Sequence, residues 1–66
     1  MNLTPREQPV VLRAVTAYQA KKAYEGPFKG PTADEILEEL QLSPVRWTEL
    51  AAFVIRTAEG PTRRNR

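Results

Sequence analysis

Between residues 9 and 25 the apolar positions fall at Val11, Ala14, Val15 and Tyr18, with Val10 and Leu12 on the flanks. A spacing of three and four returns to one side of a helix every turn, so this stretch predicts a first helix over about 9–25. Ahead of it, Thr4-Pro5-Arg6-Glu7 has the composition of a helix start, with Thr4 as N-cap, Pro5 in the first helical position and Glu7 closing a capping box. Pro9 would remove one hydrogen bond from a helix begun at Pro5, so the opening turn is expected to be separate or kinked. Past Tyr18 the same face meets Lys21, Lys22 and Glu25. There the helix either projects beyond the core or carries lysine stems along it.

Gly26-Pro27-Phe28-Lys29-Gly30-Pro31 cannot continue a helix and reads as a loop, in which Phe28 is expected to plug the gap between helices, the alternative being an exposed anchor for a partner. Thr32-Ala33-Asp34-Glu35 is a second capping box, and Ile36, Leu37 and Leu40 then give a helix over about 33–41 a single apolar face. Asp34, Glu35, Glu38 and Glu39 are left to water, as an ordinary solvated face. Ser43 as cap and Pro44 in the first position start a third helix, about 44–58, which ends at Gly60-Pro61. On it Trp47, Leu50, Ala51, Val54 and Ala58 share one side, with Ile55 at its edge. Trp47 is therefore expected in the core, while Val45, Arg46, Thr48, Glu49, Ala52, Phe53 and Arg56 point outward or flank. No alternating segment demands a strand. The expected fold is all-α, a three-helix domain over residues 1–59 followed by a basic tail, 60–66, that has nothing to bury and is expected to be disordered.

At 66 residues the chain buries only about 60% of the surface its unfolded form exposes, so stability has to be marginal. Cysteine and histidine are both absent, which removes disulfides and the usual structural zinc ligands and leaves helix packing or a partner to stabilise the fold. The same absence removes the commonest general bases and nucleophiles. No phosphate-cradling glycine loop is present, and the carboxylates of residues 34 to 39 lack the spacing of a calcium loop. A non-enzymatic protein with no cofactor is expected. The start lacks a signal-peptide pattern and no apolar run reaches the length of a membrane span, so the chain reads as cytoplasmic. The net charge of +2 is unevenly placed, with basic segments at 1–31 and 44–66 flanking an acidic one at 32–43.

Two short capped helices joined by a tight turn, here residues 32 to 58, have the layout of a helix-turn-helix. The chain resembles the N-terminal DNA-binding domain of the LexA repressor family, in Leu3-Thr4-Pro5-Arg6-Glu7-Gln8 at its start and in Pro31, Thr32, Glu35, Ile36 and Leu40 before the turn. It departs from that pattern with Gln41 where the turn usually has glycine, Leu37 where alanine is usual, one residue fewer before Ser43-Pro44, and no clear wing after the third helix. The resemblance implies that helix 44–58 is a recognition helix lying in the major groove of double-stranded DNA. Arg46 would then read a base, Val45 and Thr48 would touch bases, and Arg56 would reach phosphate. Glu49 would have to accept from a cytosine amine to be tolerated there. Lys21, Lys22, Arg63, Arg64 and Arg66 are candidate cations for the backbone. One such domain contacts few bases, so a homodimer is expected, and the role would be that of a small, phage-type transcription regulator or accessory factor. The alternative is a protein-interaction module, docking on transcription or virion machinery through Val45, Ala52 and Phe53 and the acidic helix 33–41.

Overall fold

The computed structural model describes residues 2 to 60, and these form three helices: α1 (Glu7–Ala23), α2 (Ala33–Glu38) and α3 (Pro44–Glu59). No strand occurs among the described residues, so the domain is all-α. None of these helices is long and apolar enough to cross a membrane. The expected tail lies outside the described residues from Pro61 onward.

Thr4 opens α1 through both halves of its capping box: its Oγ1 accepts from the Glu7 N–H at 3.2 Å, and its own N–H donates to Glu7 Oε1 at 3.0 Å. The Glu7 and Gln8 N–H groups also donate to the Thr4 carbonyl, at 2.9 and 3.0 Å, so the Pro5-Arg6 turn runs straight into the helix. Helix α1 thus starts two residues before the expected position and carries Pro9 in its first turn rather than being separated there. It also stops two residues early, where Tyr24 leaves in an extended conformation ahead of Gly26-Pro27.

Phe28 does not plug the space between helices. Its ring packs edge-on against Tyr24, with centroids 6.0 Å apart, and closes on Gly30, where a Cβ would come within 2.9 Å of the ring. The loop folds on itself because its two aromatic side chains reach each other before either reaches the core.

In α2 the capping box at Thr32 forms as its residues imply, with Thr32 Oγ1 accepting from the Glu35 N–H at 3.3 Å and the Thr32 N–H donating to Glu35 Oε1 at 2.8 Å. The helix is shorter than expected because its end tightens: Glu39, Leu40 and Gln41 N–H groups donate three residues back, to Ile36, Leu37 and Glu38 carbonyls, each at 3.1 Å. Gln41 then turns the chain in the left-handed region, at φ 52°, the one non-glycine residue to do so among those described. For a side chain with a Cβ that conformation carries strain that glycine escapes. Gln41→Gly is therefore expected to raise stability by up to about 1 kcal/mol, the relief of strain being partly offset by the greater freedom of glycine in the unfolded chain. Urea unfolding checks it, and a lowered midpoint would show that the Gln41 side chain contributes more than the strain removes.

Helix α3 starts where Ser43 Oγ accepts from the Arg46 N–H at 3.3 Å and ends at Gly60, φ 74°. The core is built from Val11, Ala14 and Val15 of α1, Ile36, Leu37 and Leu40 of the α2 segment, and Leu50 and Val54 of α3. Two residues of α3 sit differently from their expected places. Trp47 packs on the core but is only half-buried, with no partner for its buried Nε1 among the described residues, and Phe53 turns inward against the core rather than outward. The far ends of α1 and α3 are tied by Tyr18 Oη to Glu59 Oε2 at 3.1 Å, Gln19 Nε2 to the Ala58 carbonyl at 3.1 Å, and an exposed Lys22–Glu59 ion pair at 3.3 Å.

Candidate functional site

Leu50 and Val54 fix the buried direction of α3. At 100° per residue Ala52 then points directly away from the core, with Val45, Thr48, Glu49, Ile55 and Arg56 spread around it. All six are exposed, Val45 at 73% and Ile55 at 43%. An apolar strip of Val45, Ala52 and Ile55 therefore runs along the outside of the helix. Two shallow grooves border the ridge made by Ala52 and Arg56, one lined also by Glu49 and Phe53, the other by Ile55, Glu59 and Gly60. The strip resembles the expected one in Val45 and Ala52 but has Ile55 in place of Phe53.

Arg46 is not the free outward reader that its position suggested. Its side chain is 28% exposed, and its Nη2 and Nε donate to Glu7 Oε1 and Oε2 at 2.6 and 3.0 Å in a two-pronged ion pair. Nη2 also donates to the Asn2 carbonyl at 2.9 Å and Nη1 to Glu49 Oε1 at 3.2 Å. Four of the five guanidinium N–H groups are thereby engaged. Glu7 is buried, and its carboxyl is held down to about 2, first by the Arg46 hydrogen bonds and then by the Thr4 N–H. The Glu7 carboxylate in turn raises the Arg46 guanidinium above its already high value. Helix α3 thus spends its best bidentate donor on clasping the N-terminal ends of α1 and α3 together.

The other candidate residues are dispersed. Thr48 Oγ1 donates to the Pro44 carbonyl at 2.9 Å, and one Glu49 oxygen is held by Arg46. Arg56 is exposed and forms no ion pair among the described residues. Lys21 and Lys22 are exposed on α1, and Lys22, 6.0 Å above the Tyr18 ring, meets the end of α3. That end lies roughly 20 Å along the axis from Val45. Arg63, Arg64 and Arg66 lie outside the described residues.

Charge follows the same division. Residues 32 to 60 hold six acids and two bases, residues 1 to 60 sum to −1, and Arg63, Arg64 and Arg66 bring the whole chain to +2. Asp34, Glu35, Glu38 and Glu39 are all exposed on α2 and its end, with Glu39 paired to Arg13 at 3.0 Å. Sequence reasoning missed the Glu7–Arg46 clasp because its partners are 39 residues apart; the available signal was a capping-box glutamate with a second oxygen to spare. No protein-family model matches the chain, and comparison with curated proteins and with solved structures finds no match either.

Proposed function

We propose that this domain is a non-enzymatic protein-docking module whose contact surface is the outer face of α3. The observation that carries this reading is the exposed strip of Val45, Ala52 and Ile55 on a helix whose opposite side already holds the core. Apolar side chains aligned on the solvent side of so small a domain gain free energy only by leaving water against a partner. The electrostatics support the same reading. The segment that supplies α2 and α3, residues 32 to 60, holds six acids against two bases, which disfavours a phosphate backbone, and Arg46 would have to abandon a buried carboxylate to reach a base edge.

Double-stranded DNA is the second reading. It is favoured by the left-handed turn at Gln41, which falls where the resemblance to LexA-type domains expects glycine, and by Val45, Thr48 and Arg56 standing on the outer face. In that case α3 is the recognition helix of a small, phage-type transcription regulator acting in the cytoplasm, and the arginines beyond residue 62 supply phosphate contacts.

Fluorescence anisotropy on a generic duplex separates the two. The full chain carrying Arg63→Gln, Arg64→Gln and Arg66→Gln is expected to leave the duplex unbound at micromolar protein and about 50 mM salt. Binding that survives these changes, weakens steeply with added salt and falls further with Arg56→Ala would overturn the docking reading in favour of DNA.

A further inference from the structure

The outer face of α3 is complementary to itself when inverted. Glu49 and Arg56 are seven residues apart, so they lie on the same side of the helix, two turns or about 10 Å from each other. Ala52 sits between them, at the point farthest from the core and with the smallest side chain of the face. A twofold axis perpendicular to α3 near Ala52 reverses the helix direction while keeping that side in place. Glu49 of one copy then meets Arg56 of the other, and the reciprocal pair forms at the opposite end of the contact. A parallel alignment would instead set Glu49 against Glu49 and Arg56 against Arg56.

We infer that the occupant of this face is a second copy of the chain, packed through antiparallel α3 helices. This inference rests on the docking reading. Ala52 lets the two backbones approach closely, and the Ala52–Arg56 ridge of each copy enters a groove of the other, one of which is lined by Glu49, Ala52, Phe53 and Arg56. Ile55 of each copy covers the side away from the charges, and Val45 meets the end of the partner helix. Arg56 gains the carboxylate that the described residues of its own chain do not give it, and Glu49 accepts with the oxygen not held by Arg46. Contact through a single helix from each copy falls in the class below about 1,200 Å², where association is weak, so dimers are expected to form between about 10 and 500 µM.

Sedimentation equilibrium of the full chain over this range tests the inference, with far-UV circular dichroism confirming that each variant is folded. The weight-average mass should double with concentration. Ala52→Glu, at an exposed position, should abolish the dimer. Glu49→Arg alone and Arg56→Glu alone should each raise the half-dimerisation concentration at least about tenfold by placing like charges together. Mixing these two single variants should restore association, because each then offers the charge the other needs. A chain that stays monomeric at about 1 mM overturns self-pairing; if it also ignores DNA the docking reading stands, and salt-sensitive binding of the duplex by the chain with Arg63, Arg64 and Arg66 replaced is what sinks that reading. A dimer unaffected by Ala52→Glu, or not restored by mixing, places the interface on another face and overturns the inference equally.

Discussion

Leu50→Ala should leave the domain largely unfolded at room temperature. Leu50 has no exposed surface, stands near the middle of α3 and belongs to the same buried cluster as the core residues of the other two helices. Removing it forfeits the transfer energy of the side chain and opens a cavity that the three surrounding helices cannot close, at a cost of about 2 to 5 kcal/mol. The core of a domain this small supplies only about 3 to 5 kcal/mol of net stability, so one such loss consumes most of it. Far-UV circular dichroism with urea titration reads the result directly. Trp47→Ala removes a larger side chain from a half-buried place whose indole N–H has no partner among the described residues, and it should be less destabilising than Leu50→Ala. The reverse order would mean that Trp47, rather than Leu50, centres the α3 contact.

The second large effect is expected at Arg46, and it should be as much a change in acid response as in stability. Arg46→Ala leaves the buried Glu7 carboxylate without its cation and frees the Asn2 carbonyl, which should lower the denaturant midpoint at neutral pH more than any exposed substitution on α3. In the unaltered chain Glu7 titrates near 2 when folded against an ordinary value of 4.5. Its contribution is therefore complete above about pH 5 and is lost as the pH falls towards about 2, because over that interval only the unfolded chain binds the proton. Removing Arg46 takes away the largest cause of the depressed value, so the variant's stability should depend less on pH through this window. Denaturation midpoints at neutral and acid pH, compared for both proteins, check this. Pairing Glu7→Gln with Arg46→Met should recover part of the loss, since neither charge is then stranded. An Arg46→Ala protein with the original midpoint and acid slope would remove the clasp from the account of stability.

Local chemistry was the most legible part of the chain. Both capping boxes and the Ser43-Pro44 start are decided within four residues, and each formed where the sequence placed it. Helix ends were less certain, as α2 shows: its last residues keep helical composition but close three residues back because the chain must reverse at Gln41. The rotation of α3 was harder still. With Val45, Trp47, Ala52, Phe53, Ile55 and Ala58 distributed around it, its apolar positions surround much of the axis, so periodicity alone placed Phe53 outside and Ile55 at the core edge. Packing of α3 against α1 and α2, with Leu50 and Val54 buried in the shared core, chose the phase that the pattern left open. Arg46 was misread for a related reason. Its angular position is that of a flanking residue, and only the tertiary meeting of two helix starts turns it inward to Glu7.

That meeting also bears on time. Glu7 and Arg46 stand at the first turns of α1 and α3, 39 residues apart, so closing the clasp requires the loop from Tyr24 to Pro31 and the turn at Gln41 to have brought both helices into register first. An interaction that needs nearly complete topology should be absent from the folding transition state and present only once the barrier has been crossed. Its loss would then leave the rate of folding almost untouched and accelerate unfolding. In this domain, whose equilibrium stability is small, the clasp sets chiefly how long each folded molecule persists before it opens.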